Sequence, residues 1–280
     1  VPSPTRLRIA TVNANGIRAA YRRGMGDWLS ARDVDILAIQ EVRASTEDVE
    51  ELLGPEWNIL HDAATAKGRA GVAIASRDKA SIHRVTIGDD EFDTSGRWLE
   101  ADYEVAGNLV TVVSAYVHSG EADTQKQVDK YAFLDAMERR LPEIAAHSPY
   151  AIVLGDLNVG HRTLDIRNWK GNVKRAGFLP DERAYFDRFV GAEGADDYNT
   201  GGGLGWVDVG RKAAGEVDGP YTWWSWRGKA FDNDSGWRID YHLATKALAD
   251  TAAEYSVDRA ATYDTRFSDH TPVVADYLLP

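Results

Sequence analysis

The chain has 280 residues, 44% of them hydrophobic and 27% charged, which allows a large buried core and excludes extended disorder. Its net charge of −12 by itself argues against a nucleic-acid partner, and no apolar run is long enough to span a bilayer, so no membrane partner is expected. With no cysteine, it has no disulfide framework, no thiolate nucleophile and no cysteine-ligated zinc.

In chain order, apolar runs predict strands at 7–12, 34–39, 70–75, 98–103, 109–117, 151–154, 221–226, 239–244 and 272–278. Within ASTEDVEELLGPEW (44–57), Ser45 and Asp48 form a capping-box pattern and Gly54-Pro55 ends the helix. Residues 124–141 set Val128, Tyr131, Leu134 and Leu141 among charges, which predicts an amphipathic helix. Two shorter helices are expected at 166–176 and 181–190, parted by Gly177 and Pro180. Strands outnumber helices, and turns as short as VAGN (105–108) join neighbouring strands. That excludes a purely doubly wound parallel sheet and predicts an α/β fold with two packed mixed sheets flanked by helices. With no repeat and no linker, residues 1–280 are expected to form one domain. The glycine-rich NTGGGLGW (199–206) lacks the lysine of a phosphate-cradling loop and is expected to be a surface turn.

Charge is unevenly spread. Acids cluster in 47–51, 89–93 and 191–197, whereas 161–175 carries Arg162, Arg167, Lys170, Lys174 and Arg175 against Asp165 alone. GIRAAYRRG (16–24) holds three arginines and no acid. A single run of this kind is more often a solvated face; together they suit one basic face on an acidic body.

Polar residues gather where strands end. IVLGDLNVG (152–160) closes an apolar run with Asp156 and Asn158, which strand alternation would point to one face. Both residue types also form turns, so this stretch alone supports either reading. The pattern recurs with Asn13 and Asn15, with Gln40 and Glu41, with Tyr116, with Asp240, and with Asp269 and His270. Ligand sites in layered α/β proteins lie at strand ends. Carboxylates without cysteine select a hard cation, magnesium or manganese, over zinc. Asn, Tyr and protonated His suit a phosphoryl oxygen, and Asp and His suit proton transfer. Metal-assisted phosphodiester hydrolysis is the chemistry these residue types predict.

Eight motifs stand in order: NANGIR (13–18), IQEVR (39–43), GRWLEADY (96–103), AYVHSG (115–120), GDLNV (155–159), YTWWSWR (221–227), GWRIDY (236–241) and SDHTPV (268–273). By these the chain resembles the exonuclease III family of abasic-site endonucleases, in the endonuclease/exonuclease/phosphatase superfamily, from about Arg6 to its end. The resemblance implies a four-layer α/β sandwich with the active site at one edge of the two sheets. It makes Glu41 the principal ligand of Mg2+, for which Mn2+ can substitute, and places Asp269 and Asn15 near that metal or a second position. Asn13 and Asn158 would hold the phosphate and the Asp156 carboxylate. Asp156 would orient or deprotonate the attacking water, or protonate the leaving oxygen. His270, steadied by Asp240, would donate to the phosphoryl oxygen, and Tyr116 would stabilise the phosphate or the departing group. Either Asp156 or the Asp240–His270 pair is the base in this reading.

Trp223, Trp237 and Ile239 match the walls of a pocket for an extrahelical abasic sugar, while Trp224 is expected in the core. Arg167, Lys170 and Lys174, with Arg18, Arg22 and Arg23, are the expected phosphate contacts. The family pattern breaks after Tyr116, where His118 and Ser119 stand in place of a proline and an amide residue. The expected activity is cleavage 5′ to an abasic site, with 3′→5′ exonuclease and 3′-end cleaning on double-stranded DNA, by a monomer. The N-terminus lacks a secretory pattern, so a cytoplasmic protein is expected, nucleoid-associated when bound to DNA if the source is bacterial. The alternatives are a lipid or inositol phosphatase of the same superfamily, or a DNA-binding relative without catalysis.

Overall fold

Alternation along the first strand, β1 (Thr5–Asn13), sorts its side chains into two layers. Leu7 and Ile9 pack against a second sheet, while Ala10 and Val12 pack beneath helices. The computed structural model, which describes residues 3–191 and 203–280, repeats this division strand after strand. The acidic run at 191–197, past Gly191, and the first half of the glycine-rich turn at 199–206 fall outside those residues.

One sheet has the order β11 (Ala252–Val257), β12 (Val273–Leu279), β1, β2 (Ile36–Gln40), β4 (Val72–Ser76), β3 (Asn58–Asp62). The other has the order β5 (Ile82–Arg84), β6 (Trp98–Val105), β7 (Asn108–Tyr116), β8 (Tyr150–Asp156), β10 (Asp240–Ala244), β9 (Val207–Asp208). Each sheet is mixed: β1 runs parallel to β2 and β7 parallel to β8, and the remaining neighbours are antiparallel. Helices α1 (Ile17–Arg22), α2 (Met25–Arg32) and α3 (Thr46–Leu53) cover the outer face of the first sheet. Helices α4 (Gln125–His147) and α5 (Pro180–Val190) cover the second. Short α6 (Val209–Ala214) and α7 (Lys246–Ala249) add Val209, Leu248 and Ala249 to the core between the sheets. The four layers expected from the sequence are present.

Local expectations met different fates. Ser45 and Asp48 form the reciprocal capping box, and Gly54 closes α3. Helix α4 runs past 141 and through Pro142 to His147. Its buried face is Phe133, Leu134, Ala136, Met137, Leu141 and Ile144; Val128, expected there, is 57% exposed. Segment 166–176 is not a helix. Only a 3-10 turn at Trp169–Gly171 forms, because Asn168, Gly171 and Asn172 favour turns and no apolar stripe anchors the segment. Segment 221–226 is not a ladder strand either: Trp223 alone bridges Trp237 and His270, while Tyr221 and Trp224 turn away to pack with Phe231. Strands β3, β5, β9 and β11 were not legible, since each lies at a sheet edge where half-exposed residues dilute the apolar pattern.

The face between the sheets changes character along the strands. Leu7 and Ile9 on β1, Ile36 and Ala38 on β2, Val110 and Val112 on β7, and Ile152 and Leu154 on β8 form an apolar slab. One step further, Thr11, Gln40 and Ser114 are joined by hydrogen bonds of 3.2 and 3.0 Å across the two sheets. The next step is wholly polar.

Candidate active site

Continuing the same alternation brings Asn13 on β1 and Asp156 on β8 face to face at the sheet edges. Sheet register aligns Tyr116, Asp156 and Asp240 side by side across β7, β8 and β10. This close pairing demands glycine before Asp156. Gly155 has φ 141°, and a Cβ there would lie 2.0 Å from the carbonyl oxygen of Ala115.

The amide nitrogen of Asn13 donates to both Glu41 Oε1, at 2.8 Å, and Asp156 Oδ2, at 2.9 Å. One neutral group thus separates two buried carboxylates. Arg43 touches the other oxygen of Glu41. The main-chain N–H of Asn158 donates to Asp156 Oδ1 at 3.0 Å, and its side-chain amide to Asp156 Oδ2 at 3.3 Å and Val117 O at 2.8 Å. The expected shared strand face is therefore corrected. Strand β8 stops at Asp156, and Asn158 comes round through a side-chain turn with φ 49°. Asn13 and Asn15 repeat the device: Asn15 N–H donates to Asn13 Oδ1 at 2.9 Å, and Asn15 has φ 46°. Turn and site are one structure here.

His270 sits three residues before the start of β12, its Nδ1 2.9 Å from Asp240 Oδ2. A carboxylate can only accept, so that nitrogen carries a proton. Asp240 is held in turn by Thr222 Oγ1, which donates to it at 2.6 Å. His270 Nε2 faces Asp156 Oδ2 at 3.6 Å. Burial alone would favour the neutral imidazole, but Asp240 and Asp156 outweigh it and push His270 up to about 10. Burial, with Asp240 and Glu41 adding repulsion, raises Asp156 above the ordinary carboxylate range, while His270 and Asn13 oppose the rise. Burial and the same Glu41 and Asp156 charges also raise the Tyr116 phenol, so it stays protonated.

Asn15 Nδ2 donates to Asp269 Oδ1 at 3.0 Å, and Trp223 Nε1 donates to Asp269 Oδ2 at 3.0 Å. Asp269 thereby ties the aromatic wall to the end of β1. Among the described residues, Glu41, Asp156 and His270 form a cluster with ligand atoms within 4.8 Å of one another. Two of these three residues are carboxylates, the oxygen donors that suit a hard divalent ion. The site can hold a metal ion on that ground.

These groups open into a cleft of about 480 Å3 also lined by Tyr116, Arg175, Gly177, Trp223, Trp237 and Ile239. The rings of Trp223 and Trp237 meet edge to face at 6.0 Å, whereas Trp224 is buried and donates to Asp234. Arg167, Lys170 and Lys174 are exposed and lie outside the cleft, as are Arg18, Arg22 and Arg23. Arg167 has Asp218 at 4.0 Å, Arg18 pairs with Asp48 at 3.0 Å, and Arg23 lies over Trp226.

Arg43, Arg97 and Thr222 had no role in the sequence reading, and Arg175, counted there only within the basic 161–175 face, lines the cleft itself. Arg97 lies 4.7 Å from the ring centre of Tyr116 and donates to the Tyr116 carbonyl at 3.2 Å. Arg43 and Arg97 both fall inside quoted motifs, and that placement was the available signal. Thr222 was hidden in an aromatic run.

A model of the Endonuclease/Exonuclease/phosphatase family matches residues 10–270. The chain is 30% identical over 268 residues to an exodeoxyribonuclease of Bacillus subtilis, covering 95% of this chain and 98% of that one. It is 27% identical over 283 residues to exodeoxyribonuclease III of Haemophilus influenzae, covering 97% and 100%. Among solved structures, an AP endonuclease from Archaeoglobus fulgidus superposes with a TM-score of 0.80 at 28% identity, covering 97% of this chain and 99% of that one.

Proposed function

This chain belongs to the endonuclease/exonuclease/phosphatase family, and from that premise we propose that it is a DNA-repair nuclease, a hydrolase of phosphodiester bonds. Its reaction is cleavage 5′ to an abasic site in double-stranded DNA, with removal of nucleotides or blocking groups from 3′ ends. The observation that carries the reading is the Asn13–Glu41–Asp156–Asn158 cluster facing the Asp240–His270 pair across a cleft walled by Trp223 and Trp237. A lipid or inositol phosphatase needs no such aromatic wall.

Glu41 is the residue to hold Mg2+, or Mn2+ in its place, with Asp156 facing it across the Asn13 amide, and the bound ion would neutralise charge on the phosphoryl oxygens. The protein's own groups do the rest. His270, protonated between Asp240 and Asp156, donates Nε2–H toward a phosphoryl oxygen. Asp156, raised by burial, accepts a proton from a water that the Asn158 amide orients. Tyr116, with Arg97 beside its ring, keeps its proton and donates to the phosphate or the leaving oxygen. Trp223, Trp237 and Ile239 receive the flipped sugar and exclude water around it. The chain acts as a single-domain monomer, with Arg167, Lys170 and Lys174 on the DNA backbone.

The test compares cleavage of a duplex bearing one abasic site with intact duplex, recessed and blocked 3′ ends, and an inositol phosphate, each with magnesium or chelator. Magnesium-dependent incision at the abasic site supports the proposal. Turnover of inositol phosphate with inert DNA would overturn it.

A further inference from the structure

Lys130 is a lysine with a fully buried side chain on α4, and Glu182, equally buried on α5, lies 2.7 Å from its Nζ. Lysine is rarely placed so unless each of its protons has an acceptor. Here the other two go to main-chain carbonyls, Asn158 O at 2.7 Å and Ser119 O at 3.2 Å. Glu182 is equally committed. Its Oε1 also accepts from Gln127 Nε2 at 2.9 Å, and its Oε2 accepts from Gly177 N at 2.7 Å and Leu179 N at 2.9 Å. The pair therefore grips three separate loops, at Ser119, Asn158 and Gly177, and all three line the cleft.

What those loops carry makes the grip consequential. Asn158 presents its amide to Asp156 from the same residue whose carbonyl Lys130 holds. Gly177 has φ 93°, and a Cβ there would lie 2.8 Å from the ring of Trp237 and 3.3 Å from Asn158 O. Gly177 O also accepts from Gly160 N at 2.8 Å, tying the Trp237 wall to the Asn158 turn. A buried ion pair is a weak device for stability, because desolvation offsets most of its attraction; its lasting effect is geometric.

We propose that Lys130 and Glu182 are positioning residues for the nuclease reaction, setting the distance between the Asn158 amide beside Asp156 and the Gly177–Trp237 wall. The inference rests on the nuclease reading. A shift of the order of 1 Å in such a group can cost about a hundredfold in rate, so a variant that frees the loops should lose turnover rather than affinity.

Lys130→Met keeps the stem and removes the three donors. It would be compared with Met137→Ala, a core change on the same helix away from the cleft, and with Glu182→Gln. Folding is followed by circular dichroism and thermal melting, and abasic-duplex cleavage by single-turnover kinetics with a separate DNA-binding titration. The expected result is a fall in kcat of about tenfold to a hundredfold in Lys130→Met at a temperature where it is fully folded. Its DNA affinity and magnesium requirement should stay near wild type, and Met137→Ala should keep its kcat at equal or greater loss of melting temperature. If Lys130→Met does not fold, Glu182→Gln must show the same split. Equal kcat in the folded variant and Met137→Ala, or a loss confined to KM, would overturn the inference. A wild-type protein inert on abasic DNA would instead overturn the nuclease reading.

Discussion

Replacing Asn13 with alanine removes the one group that separates two buried carboxylates. Its amide donates to Glu41 at 2.8 Å and to Asp156 at 2.9 Å. A hydrogen bond to a charged group contributes about 1.5–3 kcal/mol, so losing two sets an upper bound of about 6 kcal/mol. Glu41 keeps Arg43, and Asp156 keeps the Asn158 N–H and the facing His270. Those retained partners bring the expected loss to about 2–4 kcal/mol, or roughly 4–8 °C in melting temperature for a chain of this size. Asn13 also favours the ionised form of Asp156, so its removal raises that carboxyl further. The assay is urea denaturation of both proteins with chelator and with saturating magnesium, alongside abasic-duplex cleavage. A cation held at Glu41, facing Asp156, would offset their repulsion and restore part of the loss, so the gap between variant and wild type should narrow in magnesium. A loss under about 1 kcal/mol, or a gap that magnesium leaves unchanged, would refute the idea that Asn13 keeps two charges apart.

Glu41→Gln should retain the native circular dichroism spectrum and need much more magnesium for cleavage; an unchanged magnesium titration would reject Glu41 as a ligand. Asp156→Asn and His270→Asn should each abolish most turnover while DNA binding persists, and the double variant should lose little more, as groups of one catalytic unit do. Neutralising Arg167, Lys170 and Lys174 together should flatten the dependence of log affinity on log salt by roughly 0.9 for each phosphate that they neutralise in the wild type. Trp237→Ala should leave that slope nearly intact while weakening preference for the abasic site. His242 is fully buried between Tyr277 and the Val273 carbonyl, and burial lowers it from 6.5 to about 4. The unfolded chain therefore binds a proton that the native chain refuses: this residue's stabilising effect is full above pH 6.5 and drains away toward pH 4, by about 3 kcal/mol in all. His242→Gln should flatten the stability curve across that window relative to wild type, and parallel curves would show that another group sets the acid limit.

Short-range rules were enough for much of this protein. Apolar runs in β1, β2, β7 and β8 announced strands, and the Ser45–Asp48 box announced α3, because each signal lies within a few residues of what it shapes. Alternation carried Asn13, Tyr116 and Asp156 to the site, whereas Glu41, one residue past β2, reaches it through a turn with φ 46°. Where tertiary packing decides, the local pattern misled or fell silent. Segment 166–176 has helical spacing of charges but no apolar stripe beyond Ile166, and the edge strands owe their pairing to neighbours distant in sequence. Asn158 reaches Asp156 by a turn instead of a strand face, since both backbone forms place the same amide near the same carboxylate. Lys130 and Glu182 are charged residues within the helices expected at 124–141 and 181–190. Only the packing of α4 against α5 turns their charges inward, where each must find every partner it needs, and three loops of the cleft supply them.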